Sequence, residues 1–251
     1  MIRTAFTLAL GALLCHLPPA LQAGVIVSTS LTLTSLQITP SSGTVQFLPV
    51  NASAFASALD SLGGADANFD SQDDSSVNVS ALVALAAANA SADAIRQTTL
   101  AQSSVNIPDF EAAASSTGQG TLQGAFQIVG TTGSVNVLFS AVLELAQSLA
   151  TTNTGLSGSS EVVFTLNLPD LADPLVLFLD NPLEIGSNQS LSSSSNPTLS
   201  SGAIALDSNT PYSFLLQVDS ESSGLTAPEP GCFALGAIGM CMAFLRRYRA
   251  R

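Results

Sequence analysis

Oxygen-donating side chains are concentrated in one short segment of this sequence. The donors are Asp66, Asn68, Asp70, Asp73 and Asp74. Carboxylate and amide oxygens at alternate positions are typical of loops that bind calcium, which prefers oxygen ligands. An EF-hand loop in this register would also need glycine and glutamate where the chain has Ser71 and Val77. We therefore favour a solvated acidic loop, keep a calcium site as the alternative, and expect no other cofactor.

Most catalytic chemistry is excluded by composition. Lysine and tryptophan are absent, and the only histidine and cysteines, His16, Cys15, Cys232 and Cys241, fall in the two hydrophobic end segments. The body between them therefore lacks the groups for Ser-His-Asp or Cys-His catalysis, for a His/Cys zinc site and for Schiff-base chemistry. A carboxylate pair that hydrolyses glycosides is the alternative. Without tryptophan, Tyr212 is the only tyrosine in the body that could stack on a sugar ring. A sugar-binding cleft is therefore poorly supported, and we predict no enzyme.

The body of the chain is strongly acidic. Residues 24–227 carry seventeen acidic side chains against Arg96 alone, which gives a net charge of −16. Such a surface repels phosphate backbones, so nucleic-acid binding is excluded, and it attracts cations or basic partners. Only 10% of the whole chain is charged, against roughly 25% in a typical soluble domain. Polar uncharged residues take the place of lysine and glutamate, which favours an extracellular β-rich domain.

The N-terminal segment, residues 1–23, has the three parts of a secretory signal peptide. Arg3 supplies the positive charge, residues 5–14 form a short apolar run, and two prolines and the small residue Ala23 follow. We predict cleavage by signal peptidase after Ala23, which would leave Gly24 first. The alternative is an uncleaved anchor helix, and the prolines count against it.

The C-terminal segment, residues 228–251, also has three parts. Pro228, Glu229 and Pro230 precede an uncharged apolar stretch at 231–245, and an arginine cluster follows: Arg246, Arg247, Arg249 and Arg251. Fifteen residues at about 1.5 Å each fall just short of a bilayer core of ~30 Å, a mismatch that local thinning accommodates. By the positive-inside rule the arginines stay cytoplasmic. The body is then expected on the outer side of the membrane.

This tripartite tail resembles the PEP-CTERM sorting signal of bacterial exported proteins. The resemblance covers about the last 25 residues and rests on the Pro-Glu-Pro motif beside the apolar stretch and arginine cluster. It implies processing near the motif by exosortase, a membrane protease, and delivery to the cell surface or extracellular polymer matrix. Cys232, Cys241 and Tyr248 depart from the pattern without removing it. A plain tail anchor is the alternative.

Period-two alternation predicts an antiparallel sheet protein. At 135–145 the apolar residues occupy odd positions and polar residues lie between them, which indicates a long strand with one wet face. Turn-forming Gly, Ser, Asn and Pro separate the segments. The other predicted strands are 25–38, 44–48, 122–129, 162–168, 175–179, 203–206 and 212–218.

Residues 52–114 are ambiguous because they are rich in alanine. Residues 54–62 and 81–100 could be helices by propensity, yet alternation at 77–83 favours a strand over 76–90. Farther along, we predict a serine-rich loop at 190–195 within a flexible surface segment, 188–197.

Together these features predict a mainly β chain. It would comprise a signal helix at 1–23, an antiparallel β-sandwich or jelly-roll-like domain at 24–219, a linker at 220–227 and a C-terminal transmembrane helix within 228–251. The predicted role is structural or adhesive, at the cell surface or in an exopolysaccharide matrix. The alternative is a module that binds polysaccharide or calcium on a tail-anchored scaffold. Signal peptidase, exosortase and the membrane are the expected partners, and extracellular polysaccharide is the candidate ligand.

Overall fold

A computed structural model of the chain describes residues 24–108, 112–152 and 155–226. The regular secondary structure of these residues is all strand, without a helix, which confirms the mainly β prediction. The strands are β1 Val25–Pro40, β2 Thr44–Phe47, β3 Asn51–Asp60, β4 Ala65–Asp73, β5 Ser76–Leu82, β6 Ala86–Asp93, β7 Thr98–Ile107, β8 Ala113–Val129, β9 Ser134–Thr151, β10 Leu156–Leu168, β11 Leu175–Asp180, β12 Leu183–Ile185, β13 Ser190–Ser195, β14 Thr198–Ser200, β15 Ile204–Asp207 and β16 Tyr212–Thr226.

The strands form two antiparallel sheets that pack face to face as a sandwich. Sheet A has the order β13-β9-β1-β7-β6-β5, and β14 and β15 also pair with β9. Sheet B has the order β11-β10-β16-β8-β3-β4, with β12 on β10 and β2 on β8. The outer strand of each sheet on one side is therefore a series of short pieces. Broken edges of this kind limit pairing with other chains.

Strand β9 follows the predicted pattern. From Val135 to Leu145 each odd-numbered side chain is buried, and the polar residues between them face outward. Successive side chains of a strand point to opposite faces. The large apolar residues of β9 therefore share one face, which is turned toward the opposite sheet.

Both ends of the described body leave from the same end of the sandwich. Strand β1 begins there with Val25 and β16 finishes there with Thr226. The two are close, since a Cβ added to Gly224 would lie 3.0 Å from Cγ1 of Val25. We call this the terminal end and the opposite one the distal end.

The core changes in character between the two ends. Near the distal end Phe126 packs against Phe139, Phe47 and Tyr212, with ring centroids 5.7, 6.5 and 6.0 Å apart. Aromatic side chains bury much apolar area, so this cluster contributes strongly to stability. Elsewhere the inward-facing positions of β3 and β6 are all alanine.

Glycines bring the sheets close together beside those alanines. A Cβ on Gly118 of β8 would lie 2.7 Å from the carbonyl oxygen of Gln102 and 2.8 Å from that of Asn89. Both oxygens belong to the backbone of sheet A. Only a residue without a side chain allows such an approach.

A layer of hydroxyl groups crosses the interior nearer the terminal end. Thr29 Oγ1 lies 2.6 Å from Ser160 Oγ and 2.8 Å from Ser222 Oγ, which is 2.8 Å from Ser103 Oγ. Gln147 Nε2 donates to Ser160 Oγ at 2.8 Å. Because these buried groups satisfy one another, they join the two sheets without leaving their polar atoms unpaired.

The helical alternative for the alanine-rich region is wrong among the described residues. Residues 54–62 belong largely to β3, and residues 81–100 are divided among β5, β6, β7 and their turns. The favoured strand at 76–90 is confirmed with an added turn, since β5 ends at Leu82 and β6 begins at Ala86. Tertiary packing overrides the helix propensity of alanine here, because only small side chains fit between sheets this close.

Two predicted irregular segments are strands instead. Residues 190–195 form β13, which pairs with β9. The prediction of a serine-rich loop at these residues is therefore wrong. Residues 220–226, predicted as a linker, are the last part of β16 and pair with both β8 and β10. The inward positions of this segment hold serine, glycine and threonine. These residue types are typical of linkers, although here they belong to a buried strand.

Candidate functional site

The five oxygen donors of the acidic segment lie on or beside the edge strand β4, and the predicted loop is therefore wrong. Asp66, Asn68 and Asp70 occupy alternate positions of this strand, and Asp73 is its last residue. Alternate residues of a strand are separated by about 6.6 Å. Asp74 follows with a φ of 47° and begins the connection to β5.

Two of these side chains serve the edge of the neighbouring strand. Asp66 Oδ2 accepts a hydrogen bond from the backbone N–H of Leu82 at 2.9 Å. Asn68 Nδ2 donates to the carbonyl oxygen of Ser80 at 2.6 Å. Both backbone groups belong to β5, the last strand of sheet A. Side chains of sheet B thus form hydrogen bonds with edge backbone groups of sheet A that could otherwise pair with another chain.

The other three donors bind groups close to themselves. Asp70 accepts from the N–H of Ser71, Asp73 from Asn51 and Asp74 from the N–H of Val50. The structure does not bring the five donors together. Among the described residues, no group of three or more His, Cys, Asp and Glu side chains is placed to hold a metal ion.

One carboxylate is held on the outer face of sheet B. Asp219 accepts hydrogen bonds from Gln119 Nε2 and Gln217 Nε2, each at 2.7 Å, one on each oxygen. Burial raises the pKa of Asp219 above its ordinary value of 3.8, and the two hydrogen bonds oppose this shift in part. Sequence reasoning missed this group, because the strand predicted at 212–218 ends one residue before Asp219. The alternate spacing of Gln217 and Asp219 was a usable signal.

Two glutamates stand next to each other on the same face. Glu161 of β10 lies directly opposite Glu221 of β16 in the sheet register. Both are exposed, and with Glu184 they border a hollow of about 100 Å³. A glycosidase instead holds its two carboxyl groups on either side of a bound sugar. This pair on an open sheet face lacks such an arrangement.

The outer face of sheet A carries a larger and chemically different groove. Its volume is about 460 Å³, and hydroxyl and amide side chains such as Ser28, Ser30, Asn89 and Gln102 line it beside the exposed Leu82. None of the described residues that line it is ionisable. On a body this acidic, an uncharged groove favours a neutral, hydrogen-bonding ligand.

Most of the predicted sorting residues fall outside the described residues. Gly24 is described, and its N–H donates to Thr152 Oγ1 at 2.8 Å. Ala23, the motif and the arginine cluster lie outside, and these are Pro228, Glu229, Pro230, Arg246, Arg247, Arg249 and Arg251. Within the described ranges there is no helix with the length and apolar character needed to cross a bilayer.

No protein-family model matches the chain, and no curated protein matches it in sequence.

Proposed function

We propose that this chain is an exported protein with a structural or adhesive role at the cell surface or in an extracellular polymer matrix. In this proposal residues 1–23 form a signal helix, residues 231–245 form a transmembrane helix, and exosortase processes the chain near Pro228 to Pro230. The observation that carries it is the order of motif, apolar stretch and arginine cluster in the last 25 or so residues. A signal-like segment at the other end supports the same topology.

The chemistry of the body is consistent with a role that needs no reaction. Its described residues contain no histidine, cysteine or lysine, and Arg96 is their one arginine. That arginine forms a solvent-exposed ion pair with Asp93 at 3.8 Å, which contributes little to stability. Long pleated sheets with polar outer faces provide broad surfaces for contact with polymers.

Intact mass tests the proposal. The native chain should be recovered from membranes as a form that begins at Gly24, and from the medium as a form that also lacks the arginine cluster. Replacing Glu229 with alanine, or deleting residues 246–251, should retain the longer form in the membrane. Recovery of wild-type chains that still carry Tyr248 from the medium would show that the tail is not processed.

A second candidate function is binding of a neutral polysaccharide, and the uncharged groove on sheet A favours it. The double variant Asn89→Ala/Gln102→Ala removes two amide groups from the lining. It should weaken retention on neutral glycans without changing the thermal unfolding temperature appreciably, because both side chains face outward. Equal retention of variant and wild type would argue against the groove as the binding site.

A further inference from the structure

Exposed apolar side chains are concentrated around the terminal end. Among the described residues, eleven large apolar side chains are exposed, and six of them lie near this end. We call these six the apolar rim: Ile26, Leu59, Leu62, Leu82, Leu191 and Leu225. Leu62 and Leu82 are the most open, with 69% and 71% of their surface exposed.

The sheet register brings the rim to one level. Leu225 and Ile26 are each next to the last residue of their strand at this end. Leu59 aligns with Ser115 and Leu82 aligns with Ala87, close to the starts of β8 and β6. At about 3.3 Å per residue, these strand positions lie within ~10 Å of the end. Leu62 is in the turn between β3 and β4, at the end itself.

The described acidic side chains are fewer near the rim than toward the distal end. In the described part of the rim region the acids are Asp60, whose carboxylate accepts the N–H groups of Leu62 and Gly64, Asp66, which accepts the N–H of Leu82, and Glu184. The turns and strand ends toward the distal end carry more of them: Asp73, Asp74, Asp93, Asp170, Asp173 and Asp207. Among the described residues, the distal end therefore carries more acidic side chains than the apolar rim, and Asp109 and Glu111 lie outside these residues.

We propose that the apolar rim docks on the surface of a lipid bilayer. The inference rests on the proposed function, since it takes the apolar stretch at 231–245 to lie in a membrane. This stretch follows the terminal end closely, because β16 continues to Thr226, two residues before Pro228. With so short a connection the rim is held at the level of the lipid headgroups. A second copy of the chain is a poor occupant, because each body carries a charge of −16.

Docking in this way fixes the orientation of the body. Apolar side chains of a peripheral surface enter the headgroup region by about 5–10 Å, which matches the depth of the rim. The distal end, with the larger share of the described acids, then points away from the bilayer into water. A processing enzyme would meet the motif at the membrane surface, directly below the last strand.

Fluorescence quenching in vesicles tests the docking. The full chain, with Cys15, Cys232 and Cys241 replaced by serine, receives one new cysteine through Leu62→Cys or Ile95→Cys. The two positions are matched, because both lie in turns and are similarly exposed, by 69% at Leu62 and 77% at Ile95. Each variant is labelled with bimane and reconstituted in phosphatidylcholine vesicles that carry a quencher on the upper acyl chain. We expect at least threefold stronger quenching at position 62 than at position 95.

Flotation of the same vesicles separates the two ways in which the idea can fail. If the chain floats with the vesicles but the two labels are quenched equally, the rim does not dock and the proposed membrane anchoring stands. If the chain does not float, the anchoring is wrong and the docking inference falls with it. Adding Leu225→Asn should reduce the quenching at position 62, whereas adding Leu138→Asn at the distal end should leave it unchanged.

Discussion

Individual carboxylates in this protein act mainly as acceptors for nearby N–H groups. Asp60 binds two backbone N–H groups of its own turn, and Asp93 does the same for Ile95 and Arg96. Such contacts fix tight turns, and at Asp93 the ion pair with Arg96 adds to them. The high acid content is therefore compatible with a folded body that has almost no cations, since hydrogen bonds and solvent take the place of ion pairs.

Asp219 should give the body a measurable dependence of stability on pH. Burial raises the pKa of this carboxyl, so the folded chain holds its proton more tightly than the unfolded chain. Its contribution to stability is present at low pH and is lost as pH rises from about 3.8 through the raised pKa. We expect Asp219→Asn to remove that loss. The melting temperature of the variant relative to wild type should rise between about pH 3.5 and 7.

Asp170 provides a control of opposite sign. Hydrogen bonds from the side chain and the backbone N–H of Ser213 hold the pKa of Asp170 below its ordinary value of 3.8. Its contribution is present above that value and is lost as pH falls through the lowered pKa. The melting temperature of Asp170→Asn relative to wild type should fall as pH rises through the lowered pKa to about 4.5, and should change little above that. Parallel trends for the two variants would contradict the assignment.

At the scale of elements, the close contact between β8 and sheet A depends on glycine. Gly118→Ala would push a methyl group against two backbone carbonyls of sheet A, and backbone cannot move aside as a side chain can. Overpacking of this kind costs about 1–3 kcal/mol. Thermal unfolding of the full chain in a mild detergent measures it. Gly202→Ala is the control, since nothing lies within 4 Å of its added Cβ, and it should be neutral or slightly stabilising.

The contact between β4 and β5 should protect an edge. The double variant Asp66→Ala/Asn68→Ala removes the partners of Leu82 N–H and the Ser80 carbonyl, and exposed strand edges pair with other chains. We expect oligomers in sedimentation velocity experiments in mild detergent. Asp70→Ala removes the same charge, but its hydrogen bonds stay within β4, so it should remain monomeric. Association of both variants to the same extent would attribute the effect to charge.

How much of the fold the sequence predicts depends on side-chain size. Strand β9 was recognisable because large apolar residues alternate with polar ones. Strand β3 and the last part of β16 also alternate, but their inward residues are alanine, serine, glycine and threonine. These types are equally common in helices or linkers, and only the close approach of the sheets gives them a reason to be inside. The Asp219 cluster was missed because Gln119 comes from a strand one hundred residues away.

The whole molecule is organised along the axis of its strands. Aromatic packing lies toward the distal end, a hydroxyl layer crosses the middle of the terminal half, and both chain ends leave at the apolar rim. Because β1 and β16 are interior strands of their sheets, the segments that leave the body are joined to its centre and not to an edge. A force on either end therefore acts on the core of the sandwich.

Truncation distinguishes this arrangement from a domain with a spacer. A chain that stops after Ala227 keeps all of β16 and should fold, with far-UV circular dichroism typical of strands and resistance to proteolysis. A chain that stops after Asp219 loses the residues that pair with both β8 and β10, including the fully buried Ser220 and Ser222. Their backbone partners would lose hydrogen bonds in the middle of sheet B. We expect this shorter chain to be unfolded and degraded within the cell. If it stayed folded, residues 220–226 would be a linker after all.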